Sequence, residues 1–336
     1  MSVPPSPSVS CPSPSPSPIV ERLRAAGCVF AEDEARLLLD TARTPTELAA
    51  MVERRVAGLP LEHVLGWAEF CGLRIAVDPG VFVPRRRTES LVRTAVALAG
   101  RAGSLAGRAD GGYSARGPVL GRADDESSAT SAARGRADGR SSEKDAALGR
   151  ADDESSATSA AFLGRGFGGA RLVVVDLCCG TGAVGAALAA ALGSVELYAV
   201  DVDPAAVQCA RRNVADAGGR VFEGDLYAPL PTGLRGRVNI LAANVPYVPT
   251  EAVGLLPPEA RDHEPLTALD GGTDGLDVLR RVAAEASRWL APGGHLLIET
   301  SEAQASGAAE ALAAGGLTSH VETSPPENAT VVIGTL

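Results

Sequence analysis

Strand-like and helix-like patterns alternate along the chain from residue 171 to its end. Helical spacing of apolar residues occurs at 183–192, 204–217, 274–291 and 302–314. Short apolar or β-branched runs predict strands at 171–176, 196–201, 220–223, 237–243, 294–300, 317–322 and 329–334. This alternation predicts an α/β fold built on a mostly parallel, doubly wound sheet. A short polar loop, SPPEN, separates the last two strands, so we expect them to form an antiparallel pair.

The loop after the first of these strands is rich in glycine. Gly180, Thr181 and Gly182 follow the strand that ends at Asp176, and they lead into a helix of small residues. Because glycine has no Cβ, the backbone can approach a ligand closely at the helix N-terminus, which is typical of a nucleotide-binding loop. A tight structural turn is the alternative. The loop is not a Walker motif, because no Gly-Lys-Ser/Thr follows it.

The next two strands also end in acidic residues. Asp201 follows the glycine loop by about 20 residues, the spacing at which a carboxylate accepts hydrogen bonds from ribose hydroxyls. Asp225 follows the third strand and is placed to contact an adenine amino group, unless it is an ordinary loop acid. Since parallel strands end at one edge of a sheet, Asp176, Asp201 and Asp225 should face one crevice. These spacings fit a nucleoside cofactor and also a dinucleotide.

The fourth strand ends in ILAANVPYVPT, where an apolar run gives way to the NVPY motif, residues 244–247. Asn244 supplies a carbonyl acceptor and an NH2 donor, and Pro246 restrains the backbone. Tyr247 offers a flat face and a hydroxyl. Together these groups could hold a planar amide or amine. A structural cap at the end of the strand is the alternative role for Asn244.

Changes in composition divide the chain into five segments. Residues 1–18 are almost wholly Ser and Pro, and residues 101–168 contain the 14-residue repeat LGRADDESSATSAA twice. Neither segment can bury enough apolar surface to become ordered, so we expect a disordered tail and a disordered insertion. Residues 19–59 predict a small domain of three helical segments, and residues 60–100 predict a β-hairpin linker followed by a helix. Residues 169–336 form the sheet domain.

Three features of the linker bear on the site. Alternation from Ala68 to Val77 and the turn residues 78–80 predict a short hairpin. Thr88 is placed to cap the helix that follows. Arg85 either meets an acidic substrate or ties the linker to the sheet.

Composition argues against several classes of protein. The net charge of −10 argues against a protein that mainly holds a phosphate backbone. No apolar run approaches the roughly 20 residues of a membrane span, and the N-terminus lacks the layout of a signal peptide, so we expect a cytoplasmic location. The six cysteines show no CxxC pair and no histidine at metal spacing, so we expect reduced thiols and no metal site.

Several motifs occur together in the order found in one known family. PLEHVLG, VFVPRRRTE, EPLTALDGGTDGLDVLRRV and LAPGGHLLIETSEAQ accompany the glycine loop and NVPY. In this the chain resembles the HemK/PrmC family, class I S-adenosylmethionine-dependent methyltransferases that methylate glutamine N5 in peptide chain release factors. The resemblance covers residues 60–100 and 171–305. It implies a Rossmann-like seven-stranded sheet with a terminal antiparallel strand, a small helical N-terminal domain and a β-hairpin linker.

The resemblance also implies a cofactor and its site. The cofactor would be S-adenosyl-L-methionine, with its methionine part held by the stretch from Asp176 through Cys178, Gly180 and Thr181 to Gly182. Asp201 would hold the ribose. Asp225 and Leu226 would lie beside the adenine.

The family's NPPY motif falls on NVPY and implies how the substrate is held. The Asn244 side-chain oxygen and the Val245 carbonyl would each accept one N–H of a glutamine amide, and Tyr247 would pack on it. Glu264 would border the substrate cleft. Three features depart from the family pattern: Val245 replaces the first proline of NPPY, Arg86 and Arg87 stand within PRPxTE, and Cys178 stands where many relatives have glycine.

We therefore predict methyl transfer from S-adenosyl-L-methionine to a glutamine amide of a release factor or ribosomal protein. We expect a monomer with no membrane partner and no direct nucleic-acid partner. One alternative is N6-adenine methylation, since NPPY-like loops also serve the exocyclic amines of flipped bases. A second alternative is a catalytically degenerate module that only binds S-adenosylmethionine.

Overall fold

The structure, a computed structural model, describes residues 18–109 and 171–336. The predictions of disorder for residues 1–18 and 101–168 concern residues that lie, for the most part, outside these ranges. Within the described ranges, no helix combines the length and the apolar character that a membrane span requires.

Four helices form the N-terminal region. They are α1 (Pro18–Ala25), α2 (Ala31–Thr41), α3 (Pro45–Val56) and α4 (Leu61–Leu65). The first three match the predicted helical segments, whereas α4 is too short to show a helical period. Their apolar faces enclose a small core that includes Leu23, Leu38 and Val52. The N-terminus of α3 is capped as its sequence suggests, because Thr44 Oγ1 accepts a hydrogen bond from the Glu47 backbone N–H at 3.1 Å.

The linker contains the expected hairpin, formed by β1 (Trp67–Phe70) and β2 (Leu73–Ala76). Its turn is the pair Cys71 and Gly72, with φ of +50° and +72°, as a two-residue hairpin loop requires. The sequence prediction of a turn at 78–80 was wrong for the hairpin, since those residues follow β2. The helix after the linker, α5 (Glu89–Ala109), extends past residue 100 into the segment that was predicted to be disordered, so that prediction was wrong for residues 101–109.

A seven-stranded sheet forms the centre of the remaining chain. Its strands are β3 (Leu172–Leu177), β4 (Val195–Asp201), β5 (Arg220–Glu223), β6 (Val238–Ala243), β7 (Leu290–Thr300), β8 (Thr318–Ser324) and β9 (Ala329–Thr335). Their spatial order is β5-β4-β3-β6-β7-β9-β8, and β9 runs antiparallel to both of its neighbours. The predicted α/β class and the antiparallel C-terminal strand are confirmed.

Helices cover both faces of the sheet. With α5, they are α6 (Ala183–Leu192), α7 (Pro204–Asn213), α10 (Asp277–Trp289) and α11 (Ala305–Ala314). The short helices α8 (Pro258–His263) and α9 (Leu266–Leu269) lie in the segment between β6 and α10. One apolar core joins the sheet to α5 and α6, and the other joins it to α10 and α11. All six residues of β3 are buried, because successive side chains enter opposite cores.

The order of the strands reverses direction beside β3. The chain proceeds from β3 to β4 and β5 on one side, and then returns to place β6 on the other side. Such a switch point opens a crevice at the carboxyl ends of the two strands. The β3–β6 register pairs Leu177 with Ala243, so the following residues, Cys178 and Asn244, leave the sheet side by side.

Candidate active site

A cavity of about 610 Å³ lies at this switch point. Its walls come from the glycine loop, the ends of β4 and β6, the loop after β5, the linker and the segment between β6 and α10. The structure brings together twelve of the thirteen residues that the sequence assigns to the site: Asp176, Cys178, Gly180, Thr181, Asp201, Asp225, Leu226, Asn244, Val245, Pro246, Tyr247 and Glu264.

Gly182 is the predicted residue that does not line the cavity. Its φ is +75°, and a Cβ at this position would lie 3.0 Å from the Ala210 Cβ. Glycine therefore allows α6 to begin close to α7, which is a packing requirement.

The glycine loop is held by the acid that ends β4. Asp201 Oδ2 accepts a hydrogen bond from the Gly180 backbone N–H at 2.7 Å, and Oδ1 accepts one from Asp203 at 2.9 Å. Gly180 has φ of +52° and Cys178 has φ of +53°. The left-handed region favours glycine, so a cysteine at position 178 costs on the order of 1 kcal/mol.

Asp176 is the most buried acid of the cavity, with 1% of its surface exposed. Its Oδ2 accepts a hydrogen bond from the Gly185 backbone N–H at 2.8 Å. Burial raises the pKa of this carboxyl from 3.8 to about 7, against the Gly185 hydrogen bond and with help from the charge of Asp201. Burial also raises the pKa of Asp201. A cationic ligand would stabilise the charged forms of both acids.

The adenine end of the predicted cofactor site includes a residue that the sequence did not indicate. Arg281, on α10, donates to Asp225 Oδ2 at 2.5 Å, and both side chains are more than half exposed. Leu226, the next residue, has φ of +48° and packs against the core. No local pattern marks Arg281, because its partner lies 56 residues earlier in the chain.

The first residue of NVPY contacts the linker. Asn244 Nδ2 lies 3.5 Å from Thr88 Oγ1, to which it can donate. Thr88, the residue before α5, thus contacts the motif. Within residues 18–109 and 171–336, Asn244 Oδ1 has no hydrogen-bond partner, so this acceptor is available to a ligand. Val245 is 1% exposed, and its side chain packs in a sheet core.

The last residue of NVPY contacts two charged side chains. Arg87 donates through one terminal nitrogen to the Tyr247 hydroxyl and through Nε to Glu299 Oε1 at 2.9 Å. The Tyr247 hydroxyl donates to the same Glu299 oxygen at 3.3 Å. Burial and the charge of Glu299 raise the pKa of Tyr247 to about 12, although Arg87 opposes this. Glu299 was not predicted as a site residue, and its only local signal is a lone acid near the end of the apolar strand β7.

The loop LDGGTDG, residues 269–275, supports the backbone of NVPY. Gln304 Nε2 donates to the Tyr247 carbonyl and to the Asp274 carbonyl, each at 2.9 Å. A Cβ on Gly275 would lie 2.3 Å from the Tyr247 carbonyl oxygen, and one on Gly271 would lie 2.8 Å from the Tyr247 Cα. These glycines therefore permit a close backbone approach that fixes the position of Tyr247.

Glu264 and Arg85 connect the linker to the cavity wall. The Glu264 side chain is 1% exposed, and it accepts hydrogen bonds from the Val83 backbone N–H at 3.1 Å and from Arg85 at 2.5 Å. Burial raises the pKa of Glu264, while Arg85 opposes the rise. Arg85 thus ties the linker to the residue that follows α8, while its contact with an acidic substrate stays a prediction.

The possible metal ligands and the thiols of the described part of the chain form neither a metal-binding cluster nor a disulfide. No group of three or more His, Cys, Asp or Glu residues there could hold a metal ion. The five cysteines within these ranges, Cys28, Cys71, Cys178, Cys179 and Cys209, are free thiols. Cys11 lies outside them.

Comparison with known proteins gives consistent matches. The family model described as "Methyltransferase small domain" matches residues 158–254. The release factor glutamine methyltransferase of Geobacter sulfurreducens is 31% identical over 79% of this chain and 70% of its own length. That of Mycolicibacterium smegmatis is 32% identical over 84% of this chain and 78% of its own. A 4-amino-L-phenylalanine/4-methylamino-L-phenylalanine methyltransferase of Streptomyces pristinaespiralis is 29% identical over 82% of this chain and 73% of its own length.

Proposed function

The chain belongs to the release factor glutamine methyltransferase family, and we propose that it methylates the side-chain amide nitrogen of a glutamine in a peptide chain release factor. The methyl donor is S-adenosyl-L-methionine. One observation carries the proposal: the free Asn244 acceptor lies next to the glycine loop, at the switch point and within one cavity. This arrangement suits the meeting of an amide and a methyl donor.

The charges of the cavity suit this cofactor. Eight acidic residues line the cavity: Glu62, Asp176, Asp201, Asp203, Asp225, Glu259, Glu264 and Asp270. The three arginines in the lining, Arg85, Arg87 and Arg281, are each paired with a carboxylate. S-adenosylmethionine carries a sulfonium and an ammonium group, so this excess of negative charge attracts it.

The same excess counts against N6-adenine methylation, because a nucleic-acid substrate brings phosphates that acidic residues repel. The family relationship likewise does not favour a module without catalysis. Neither alternative has a specific observation in its support.

Each part of the cofactor has a matching group in the cavity. The backbone of Gly180 and Thr181 and the buried carboxylate of Asp176 would hold the methionine part. Asp201 keeps free lone pairs on both oxygens for the ribose hydroxyls. Asp225 and Leu226 would border the adenine. When bound, the cofactor supplies an electrophilic methyl group on sulfur.

The substrate amide needs orientation more than activation by a base. Its nitrogen is a weak nucleophile, because the lone pair is delocalised into the carbonyl. Asn244 Oδ1 and the Val245 carbonyl oxygen accept the two N–H groups and so direct the nitrogen toward the methyl group. Proximity and alignment of this kind can lower a barrier by about 7 to 11 kcal/mol. As the nitrogen–carbon bond forms, the carbon–sulfur bond of the donor would break to leave a neutral thioether, and the methylated nitrogen would release a proton to solvent.

Reconstitution with purified components tests the proposal. The full chain, S-adenosylmethionine and a purified release factor are incubated, and the factor is digested and analysed by mass spectrometry. We expect one glutamine to gain the mass of a CH2 group, and a release factor with that glutamine changed to alanine to gain none. Cofactor binding measured by calorimetry, without methylation of any release factor, would overturn the proposal. 4-Amino-L-phenylalanine serves as the competing substrate, and its preferential methylation would also overturn it.

A further inference from the structure

Two adjacent residues of the linker contact the two ends of NVPY. Both belong to the linker turn, a 3-10 helix at Arg86–Thr88. The Thr88 hydroxyl can accept a hydrogen bond from the Asn244 amide, and Arg87 donates one to the Tyr247 hydroxyl. The remaining residue of the turn, Arg86, is exposed, and its side chain forms no ion pair or hydrogen bond within the described ranges. The turn therefore offers both a functional candidate and its own control.

The contacts of Arg87 determine how the Tyr247 hydroxyl is used. A guanidinium only donates hydrogen bonds, so the tyrosine oxygen must accept from Arg87. The hydroxyl hydrogen is then directed to Glu299 Oε1. The Arg87 guanidinium carbon also lies 5.7 Å from the centre of the tyrosine ring. Because the hydroxyl already accepts one hydrogen bond and donates another, Tyr247 can contact a ligand in the cavity through the face of its ring.

Glu299 makes this arrangement depend on Arg87. Its side chain is 2% exposed, and its Oε2 atom is buried without a hydrogen-bond partner in the described structure. Arg87 is the cation paired with it. A buried carboxylate without a paired cation is strongly unfavourable, so Arg87 both balances the charge and fixes the geometry.

We propose that Arg87 is a positioning residue for methyl transfer, which fixes the Tyr247 ring against the substrate amide from outside the NVPY motif. This rests on the proposed function, since the amide is its substrate. Arg87 itself need not touch the reacting atoms. Its effect passes through Tyr247, while Thr88 in the same turn orients Asn244.

Variants of the turn test the proposal, with kcat, KM and cofactor affinity measured for each. We expect Arg87→Met to lower kcat by about 10- to 100-fold, the scale of a small misplacement of a reacting group. Its cofactor affinity should stay within about twofold, because the cofactor groups come from β3, β4 and β5. Arg86→Met should have the same kcat and the same cofactor affinity as the wild type. An unchanged kcat in Arg87→Met would overturn the proposal.

A double variant separates positioning from simple charge balance. Adding Glu299→Gln to Arg87→Met removes the unpaired buried charge, so we expect thermal stability to recover while kcat stays low. Recovery of kcat in the double variant would show that Arg87 only neutralises Glu299, and this would overturn the proposal. In a Tyr247→Phe background, Arg87→Met should lower kcat by less than about twofold, because the shared contact is already lost.

A spectroscopic readout keeps this proposal distinct from the proposed function. With fluorotyrosine incorporated, the Tyr247 resonance is identified by its loss in Tyr247→Phe. We expect Arg87→Met to shift or broaden that resonance and Arg86→Met to leave it unchanged. If the wild-type chain methylates no release factor, the proposed function fails, and this spectrum still decides whether Arg87 fixes Tyr247. An unaltered Tyr247 resonance in Arg87→Met would refute the contact.

Discussion

Gln304 donates a hydrogen bond from Nε2 to the backbone carbonyl of Tyr247 at 2.9 Å. Its Oε1 atom accepts from the Ser301 hydroxyl at 2.6 Å, so the amide is held at both ends. Through this contact the chain after β7 fixes the last residue of NVPY. Together with the contacts from Thr88 and Arg87, it holds the motif at its first and last residues.

The Asn244 acceptor should dominate the rate of methyl transfer. We expect Asn244→Ala to bind S-adenosylmethionine normally but to transfer methyl at least about 100-fold more slowly, the scale of losing one positioned transition-state contact. Thr88→Val removes only the hydrogen-bond acceptor for the Asn244 amide, so its rate of methyl transfer should fall by less. Single-turnover rates and calorimetry measure both effects. Near-normal turnover in Asn244→Ala would rule out the assigned role.

Gly275 should tolerate no side chain, because its φ is +77° and an added Cβ would meet both Gln304 Nε2 and the Tyr247 carbonyl. We expect Gly275→Ala to lower the free energy of unfolding by at least about 2 kcal/mol and to reduce kcat. Gly254→Ala is the control, since a Cβ there meets no atom within 4 Å. Urea denaturation measures the difference. Equal losses in the two variants would contradict the proposed support of Tyr247.

Cys178 should be replaceable by glycine and not by a β-branched residue. Its φ of +53° lies in the left-handed region, where glycine is unstrained and valine is a severe outlier. We expect Cys178→Gly to change the free energy of unfolding by less than about 1 kcal/mol, because relieved strain offsets lost packing. Cys178→Val should lower the free energy of unfolding by about 2 kcal/mol or more. Chemical denaturation compares the two, and an equally stable valine variant would contradict the strained backbone.

Asp176 should make the cofactor-free protein less stable as pH rises. The pKa of this carboxyl is about 7 in the folded chain against 3.8 for the ordinary group. The folded state therefore holds the proton more tightly, and the resulting stability is lost as pH rises through this window. Asp176→Asn removes the titrating group, so we expect its stability relative to wild type to increase from about pH 5 to about pH 8. Denaturation curves at both pH values measure this, and parallel pH dependence would refute it.

Cofactor binding should show the opposite trend with pH. A cation bound beside Asp176 favours the charged carboxylate and so lowers its pKa. We therefore expect S-adenosylmethionine to bind the wild-type chain more tightly at about pH 8 than at about pH 5, and Asp176→Asn to lose most of that difference. Calorimetry at the two pH values provides the measurement.

Local patterns predicted most elements of the sheet domain and failed at short ones. The seven strands and four long helices carry enough residues for a period to appear. Helices α8 and α9 contain six and four residues and were missed. The hairpin turn was misplaced because Asp78, Pro79 and Gly80 are stronger turn formers than Cys71 and Gly72. Gly182 was given a ligand role that its contact with Ala210 does not require.

The sequence by itself determined the α/β class, the acids at the strand ends, the amide-holding motif and the family resemblance. These follow from residue type and local spacing, which a chain carries before it folds. The tertiary structure decided which side chains hold that motif in place. Arg87 meets Tyr247 across 160 residues and Glu299 across 212. Such contacts depend on strand register and on the packing of the linker against the sheet, so no local pattern specifies them.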